Sequence, residues 1–484
     1  MNRIFYLLIL LIGFPLSLLS SELPATEVRA VWLTTNYGLD WPHNRTSREA
    51  QQNELIAILD SLKRHHFNTV LFQVRGRGEV LYRSKIEPMS SLVVTGGNSS
   101  SAFDPLAFAI EECHKRGLEC HAWIVTYPLG SDKQVKSLGN ASITRKQPSL
   151  ARKFQGEWYL DPGNPRTDEY LLSIVQEIVT GYDVDGIHFD YIRYPDNKGR
   201  FPDDTMYRLH GKGKSRADWR RDNITRFVTR VYDWIKQEKP WVQVSSAPLG
   251  RYRAIGDNGH GWTAMETVYQ DAGRWMQAGK HDALYPMMYY KDHLFYPFVD
   301  DWMINGNKRI VVPGLGVYQM IELDWSRNDI LEQVDYTRSR EVQGQAYFRS
   351  GNLLSNTKGI LTAIEAYYRY PAKLPPMTWL SDTIPATPAD LRAERASDGL
   401  FELRWQAVGE ESRVTYNLYR SDSDDFNLNR AENLLSVGLR EPVYRIAVAD
   451  DDKAYYYYVT VSDSYHNESA PSTPAFFYHS TTLK

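Results

Sequence analysis

The chain of 484 residues contains only two cysteines, Cys113 and Cys120. A disulfide-rich scaffold is therefore excluded, and stability must come from buried apolar side chains, for which this length suffices. One short bridge and two free, half-buried thiols both stay open. His114 and His121 each follow one of the cysteines, and the four residues have a spacing that resembles zinc ligands. The flanking pattern of a zinc site is missing, however, and we expect neither a metal nor a cofactor.

Neither sign of charge dominates, because the chain has 56 Lys and Arg and 59 Asp and Glu, which gives a formal net charge of −3. Acids and bases are interspersed, so we expect no nucleic-acid partner. Aromatic residues are abundant instead, with 32 Tyr and 13 Trp. Their flat apolar faces and polar edges suit stacking on sugar rings, although the same residues also fill ordinary cores.

Long apolar runs are confined to the N-terminus. Arg3 supplies a positive start, Ile4–Leu19 is almost uninterrupted apolar sequence, and the small residues Ser20 and Ser21 follow. This layout predicts a secretory signal peptide over residues 1–21. A retained membrane anchor is the alternative, but the run is shorter than the roughly 20 residues of a spanning helix. We therefore expect an exported protein with no stable membrane insertion after cleavage.

Between residues 22 and 372, short apolar runs alternate with amphipathic helical patterns. This alternation is typical of βα units and a parallel sheet, and eight strand candidates favour an α/β fold of the (β/α)8 TIM barrel type. An open doubly wound sheet is the alternative, but no Gly-x-Gly-x-x-Gly loop follows the first strand. The predicted strands are Val28–Leu33, Thr69–Val74, His121–Val125, Gly186–Asp190, Val242–Ser246, Ala283–Met288, Ile310–Gly314 and Gln345–Phe348.

Helical patterns and two long loops lie between these strands. The loops, residues 75–102 and 126–165, follow the second and third strands and are expected to shape a cleft. The predicted helices are Arg48–His65, Pro105–Arg116, Thr167–Thr180, Arg216–Gln237, Ser326–Ser339 and Leu353–Arg369.

The composition changes after the barrel. Five prolines between Pro371 and Pro388 predict a stiff linker over residues 373–388. Short alternating runs then predict a small all-β sandwich over residues 389–484. Thr415–Ser421 and Ala454–Asp463 resemble a fibronectin type III module. No acidic or cysteine constellation stands out there, so we expect spacing or docking rather than catalysis.

Asp190 is the strongest candidate for chemistry. It stands at the carboxyl end of the fourth predicted strand, the end at which TIM barrels place their active sites. A buried carboxylate without a partner costs free energy, and Arg193 is the nearest candidate partner in sequence. A structural Asp–Arg pair at the rim of the barrel is the alternative.

Glu79 is the second candidate, in a glycine-flanked loop after the second strand. Arg75 and Arg77 are close in sequence, and a carboxylate surrounded by arginines is normally ionised, which suits a nucleophile or base. A surface salt bridge is the alternative. Glycoside hydrolysis generally uses two carboxyls, and Asp190 with Glu79 is the predicted catalytic pair. Retaining and inverting chemistry both stay open, because sequence does not give the separation of the two carboxyls.

Further residues are predicted to contact substrate. Asp161 and Asn164 precede the third helix, where they cap that helix or contact sugar hydroxyls. Arg75 and Arg193 are expected to orient acids or bind substrate. The aromatic candidates are Trp32, Tyr127, Tyr191, Tyr289 and Tyr318.

Five segments together resemble the glycosyl-hydrolase-like family ten. They are EVRAVWLTT (27–35), FNTVLFQVRGRGEVLYRSKIEPMS (67–90), FDPLAFAIEECHKRGLECHAWI (103–124), YLDPGNPRTDEYLLSIVQEIV (159–179) and DVDGIHFDYIRYP (183–195). The resemblance implies an exported bacterial TIM-barrel glycosidase, periplasmic or secreted, with cell-wall glycan strands as one substrate class. The family's fourth-strand motif maps onto Asp190 and Arg193, whereas Glu79 stands where the family more often has Asp. A non-catalytic glycan-binding or scaffold protein on the same fold is the alternative.

Overall fold

The computed structural model describes residues 23–95, 103–196, 199–396, 400–409, 413–423, 426–446 and 453–479. The predicted signal peptide, residues 1–21, lies outside these ranges. Within them, no helix is both long enough and apolar enough to cross a membrane.

The first domain is a barrel of parallel strands, as predicted. Its parallel sheet has the order β10-β9-β8-β7-β3-β2-β1-β12-β11, and a separate antiparallel sheet has the order β4-β6-β5. The strands are β1 (Val28–Leu33), β2 (Thr69–Arg75), β3 (Glu119–Val125), β4 (Pro128–Ser131), β5 (Ala151–Phe154), β6 (Glu157–Leu160), β7 (Gly186–Asp190), β8 (Gln243–Ser246), β9 (Ala283–Leu284), β10 (Ile310–Val311), β11 (Gly314–Gly316) and β12 (Gly344–Phe348).

The strands β10 and β11 are two pieces of the seventh barrel strand. Pro313 separates them, because its nitrogen carries no hydrogen to donate to a sheet. The Val312 N–H donates to the Leu284 carbonyl at 2.8 Å, and the Gly314 N–H donates to the Pro286 carbonyl at 2.7 Å. Since β11 also pairs with β12, eight barrel strands close into a ring.

Helices surround the ring, and five of the six predicted helices are found within a few residues of their expected ends. The sixth, Leu353–Arg369, is wrong because it is two helices. Asn356, Lys358 and Gly359 have φ angles of 53°, 48° and 75°, which an α-helix does not accommodate. The helices are α1 (Arg48–Arg64), α2 (Pro105–Lys115), α3 (Asp132–Ser137), α4 (Ile143–Lys146), α5 (Pro165–Gly181), α6 (Asp204–His210), α7 (Arg216–Glu238), α8 (Ala264–Thr267), α9 (Ala272–Gln277), α10 (Tyr296–Asn305), α11 (Gln319–Glu322), α12 (Arg327–Ser339), α13 (Ser350–Leu354) and α14 (Ile360–Tyr367).

Alternation along each strand separates the barrel interior from the layer between strands and helices. Along β1, Trp32 belongs to the interior cluster, and its neighbour Leu33 belongs to the cluster beneath the helices. In the interior, the Trp32 indole N–H donates to His188 Nε2 at 3.1 Å. Burial lowers the pKa of His188 well below its ordinary value, so the imidazole is neutral and can accept this hydrogen bond.

The long loop after β3 has a structure of its own that the sequence did not predict. It carries α3, α4 and the small antiparallel sheet, in which β6 pairs with both β4 and β5. Because the loop leaves the carboxyl end of β3, this sheet becomes a wall of the end at which Asp190 lies.

The second domain is a small all-β sandwich, as predicted. One sheet has the order β13-β14-β17 and the other β16-β15-β18-β19, and all their pairings are antiparallel. The likeness to a fibronectin type III module stays a prediction. The strands are β13 (Arg392–Arg395), β14 (Phe401–Arg404), β15 (Val414–Ser421), β16 (Leu434–Leu439), β17 (Val443–Ile446), β18 (Lys453–Asp463) and β19 (Ala475–His479).

The segment between the two domains packs against the amino-terminal end of the barrel. The Glu27 N–H donates to the Lys373 carbonyl at 2.9 Å, and the Met377 N–H donates to the Tyr465 carbonyl of the sandwich at 2.8 Å. Met377 is itself buried in the interior cluster of the barrel. The segment therefore contacts both domains at once.

An ion pair also joins the two domains. His466 Nε2 of the sandwich lies 2.6 Å from Glu119 Oε1 of the barrel. Burial alone would lower the pKa of His466, but Glu119 and, more weakly, Asp185 raise it. Burial alone would raise the pKa of Glu119, but His466 and His121 hold it well below its usual range. The pair therefore contributes most when His466 is protonated.

We predict that His466→Gln lowers the melting temperature at about pH 6 and that this difference shrinks as the pH rises. A group whose pKa is raised by folding stabilises the fold below its ordinary value and loses that contribution above its folded value. The expected loss at low pH is about 1–3 kcal/mol, and calorimetry across pH measures it. His43→Gln is the control, because the His43–Glu54 pair is exposed (60% for the His43 side chain). A difference that does not vary with pH would contradict the charge argument.

Candidate active site

Asp190 is the last residue of β7 and lies at the carboxyl end of the barrel. It is 6% exposed and follows His188 on the inward side of the strand. The Tyr191 N–H donates to Asp190 Oδ1 at 2.6 Å. The Thr126 N–H and hydroxyl both donate to the Asp190 carbonyl at 2.8 Å, which ties the end of β7 to the loop after β3.

Burial raises the pKa of Asp190, because the charged carboxylate loses its hydration. Arg193, the Tyr191 N–H, the Trp123 indole and Arg77 favour the charged form and offset part of this effect. The Trp123 N–H lies near the carboxyl without meeting the geometry of a hydrogen bond. Asp190 therefore holds its proton to a higher pH than an ordinary aspartate.

Arg193 lies close to Asp190 but is not locked to it. Its guanidinium carbon is 4.5 Å from the centre of the Tyr191 ring, and that ring is 37% exposed. No ion pair within 4.0 Å joins the described side chains of Arg193 and Asp190. Arg193 Nη1 is buried and, among the described residues, has no hydrogen-bond partner. This donor therefore lies near the carboxyl but is closed off from solvent.

An aromatic cluster adjoins Asp190. Tyr289 follows β9, Tyr318 follows β11, and Phe348 ends β12. The ring centres lie 5.4 Å apart for Tyr289 and Tyr318, and 5.5 Å apart for Phe348 with each tyrosine. Burial, then Tyr318 and Asp190, raise the pKa of Tyr289 well above its ordinary value. The two predicted tyrosines therefore lie together beside Asp190.

Arg77 connects Asp190 to the small antiparallel sheet. It attracts the Asp190 carboxylate and donates from Nη1 to Glu157 Oε2 of β6 at 2.8 Å. Tyr159, also on β6, is close enough to Arg77, Tyr191 and Arg193 for their charges to influence its pKa. The sequence pattern did not indicate Glu157 or Tyr159 as site residues, because they lie on β6, within the segment 126–165 that is predicted as a loop.

The model of one protein family matches this chain from residue 27 to residue 301, which is more than half of its length. That family is described as Glycosyl hydrolase-like 10. The chain belongs to this family. The matched region holds Asp190 and every other site residue described above except Tyr318 and Phe348.

Two curated relatives of the family are similar over most of their lengths. "Glycosyl hydrolase YngK" of Bacillus subtilis (strain 168) is 29% identical over 476 residues, 92% of this chain and 92% of YngK. "Glycosyl hydrolase DigH" of Escherichia coli (strain K12) is 32% identical over 379 residues, 69% of this chain and 86% of DigH. Family membership confirms the predicted glycoside hydrolase, whose implied substrate is a carbohydrate.

Arg75, predicted to bind substrate or orient an acid, is instead part of the packing. It is completely buried, and its Nε and Nη2 each donate to a different oxygen of Glu87 at 2.7 Å. Its Nη1 donates to the Thr126 carbonyl at 3.0 Å and to the Val125 carbonyl. Every donor nitrogen is used by the protein, so Arg75 is not available to a sugar.

Trp32 and Tyr127 are also unavailable to a ligand. Each is 1% exposed. Trp32 fills the barrel interior, where its ring centre lies 6.1 Å from that of Tyr285, and Tyr127 packs against Phe227 at 6.2 Å. The predicted sugar contacts of these two residues are therefore wrong, because their flat faces are covered by protein.

Asn164 and Asp161 have local roles before α5. Asn164 is the N-cap of that helix and accepts a hydrogen bond from the Arg166 N–H at 3.1 Å. Asp161 is completely buried, accepts from the Gly163 N–H at 2.9 Å, and pairs with Arg152 at 3.1 Å. Burial raises the pKa of Asp161 to about 6, against the pull of Arg152. The capping alternative holds for Asn164, and neither residue is assigned to substrate.

Glu79 lies in a neighbouring cavity, and its surroundings raise its pKa instead of lowering it as expected. Arg75 pairs with Glu87 and Arg77 with Glu157, so neither arginine is its ion-pair partner among the described residues. Burial raises the pKa of Glu79 and Glu87 adds repulsion, against one hydrogen bond from the Ser91 N–H at 3.4 Å. The expectation of an arginine-stabilised carboxylate is wrong.

Proposed function

We propose that this glycoside hydrolase cuts bacterial cell-wall glycan strands and that Asp190 is its proton donor. The observation that carries the proposal is a buried carboxyl at the carboxyl end of a barrel strand, beside the exposed ring of Tyr191 and the half-buried Arg193. Burial raises the pKa of this carboxyl. A general acid must be protonated when substrate is bound, and burial is a common means of achieving this.

The surroundings of Asp190 suit the proton transfer. Once Asp190 has given its proton to the leaving oxygen, the Tyr191 N–H and Arg193 stabilise the carboxylate that remains. Tyr191 is 37% exposed and packs against the Arg193 guanidinium, so its ring is available for stacking on a sugar. Tyr289 and Tyr318 extend that apolar wall.

Two observations support the substrate class and location. The curated relatives compared above are bacterial proteins named glycosyl hydrolases. The residue pattern of positions 1–21 is that of a signal peptide, which supports a periplasmic or secreted enzyme that meets the cell wall. We assign the sandwich, with its likeness to a fibronectin type III module, to spacing or docking.

Product analysis tests the proposal. The protein is incubated separately with intact peptidoglycan, with glycan strands stripped of their peptides, and with plant polysaccharides, and the soluble products are separated by chromatography. We expect soluble oligosaccharides from the bacterial glycan. Release from plant polysaccharide alone would overturn the substrate class. Uncut glycan that co-sediments with the protein would instead indicate a binding protein.

A further inference from the structure

A cavity of about 200 Å³ lies next to Arg77 at the carboxyl end of the barrel. Its walls come from the segments that follow β1, β2 and β3, and they include Asn36, Tyr37, Glu79 and Gln134. Arg77 lines this cavity and also attracts the Asp190 carboxylate. The cavity is therefore adjacent to the proposed cleavage site but separate from it.

Glu79 is held rigidly at the wall of this cavity. The Gly76 N–H donates to the Glu79 carbonyl at 3.0 Å, and the next residue, Val80, donates to the Pro88 carbonyl at 3.0 Å. Gly78 has a φ of 77°, which a side chain would strain. The tight turn thus fixes the main chain from which the Glu79 side chain extends to the cavity wall.

The Glu79 carboxyl has unused hydrogen-bonding capacity. Oε1 accepts only the 3.4 Å hydrogen bond from the Ser91 N–H, and Oε2 has no donor among the described residues. A carboxylate offers about four acceptor sites, so the protein leaves most of those of Glu79 to solvent or to a ligand. A ligand with paired hydroxyl groups would satisfy them.

Two neighbours of Glu79 are also suited to a sugar. Tyr37 is 59% exposed, so a flat ring face is open at the rim of the cavity. Asn36 uses its main-chain N–H to bind Gln73 at 2.7 Å, while its side-chain amide makes no hydrogen bond to the described residues. An exposed ring beside convergent polar groups is the usual composition of a carbohydrate site.

We propose that this cavity is a sugar-binding subsite, in which Glu79 accepts hydrogen bonds from two hydroxyls of a glycan unit beyond the bond that is cut. Tyr37 stacks on the same unit. This inference rests on the proposed function and changes the role of Glu79 from catalysis to binding. The carboxylate that raises the pKa of Glu79 is Glu87 and not Asp190, which agrees with a place away from Asp190.

Kinetics on glycan oligosaccharides of graded length tests the proposal. Glu79→Gln keeps the shape but weakens the acceptor, so KM on long oligosaccharides should rise about tenfold while kcat changes less than about twofold. The effect should vanish on the shortest fragment that is still cut. Tyr37→Ala should act in the same direction, and Glu111→Gln on α2 is the matched control, since Glu111 is 62% exposed. A fall in kcat of about a hundredfold at constant KM would make Glu79 catalytic and overturn the proposal.

Binding to the Asp190→Asn protein separates this proposal from the proposed function. Calorimetry with the longest oligosaccharide should show about tenfold weaker binding when Glu79→Gln is added. If the wild type cuts no glycan, the proposed function fails. The difference in affinity between Asp190→Asn and the double variant still shows whether the cavity binds the oligosaccharide. Equal affinities, or no binding at all, would overturn the subsite even where hydrolysis by the wild type is confirmed.

Discussion

Replacing Asp190 by Asn should lower kcat/KM on cell-wall glycan by about a hundredfold to ten-thousandfold, the range that a positioned general acid contributes. Asparagine keeps the shape of the side chain but has no proton to give. In the wild type, kcat should fall as the pH rises through the raised pKa of Asp190, because only the protonated form donates. Reducing-end assays across pH measure both effects.

The same substitution should leave the melting temperature at neutral pH unchanged or slightly higher. A carboxyl whose pKa is raised by folding stabilises the fold only at low pH, and its charged form is penalised at neutral pH. Asparagine removes that penalty. Asp324→Asn is the control for both measurements, since Asp324 is 94% exposed. Retained activity together with a large loss of stability would assign Asp190 to structure.

Replacing Arg75 by Met should destabilise the barrel by about 3–5 kcal/mol, the usual cost of removing one partner of a buried ion pair. Glu87 would keep its negative charge in the core. Of the described side chains that donate to its carboxylate in the wild type, only the Tyr170 hydroxyl, at 2.6 Å, would remain. The carbonyls of Val125 and Thr126 would also lose their donor. Urea unfolding followed by tryptophan fluorescence measures the loss.

Two further variants show whether burial is the cause. Arg75→Met combined with Glu87→Leu should recover much of the lost stability, because the unpaired charge is removed as well. Arg200→Met removes an ion pair with Asp204 whose side chains are 73% and 46% exposed, and it should cost less than about 1 kcal/mol. An equal loss in the Arg75 and Arg200 variants would refute the argument from burial.

Sequence reasoning found Asp190, Arg193 and Tyr191 because they directly follow or end one strand. A βα unit gives its strand ends a common direction, so residues at those ends face the same opening. Tyr289 and Tyr318 were found for the same reason. Phe348 and Trp123 occupy inward positions near strand ends, so the same rule could have predicted them as site residues. Neither residue lies in an acidic motif, and the sequence pattern therefore did not indicate them.

The sequence did not separate residues that are alike in type and position but differ in burial. Arg75 and Arg77 are two residues apart, yet Arg75 is closed inside an ion pair and Arg77 lines a cavity. Which arginine meets Glu87 depends on the turn at Gly76–Val80 and on the path of the loop behind it. Those contacts are between residues distant in sequence, and no local pattern encodes them.

By itself the sequence determined the alternation of strands and helices, the all-β second domain and the place of Asp190 at a strand end. These follow from local periodicity, which each segment carries without reference to the others. Only the tertiary structure decided that the pKa of Asp190 is raised, that Arg75 is structural and that Glu79 lies in a separate cavity. Burial and electrostatic pairing set those outcomes, and both arise when segments far apart in the chain come into contact.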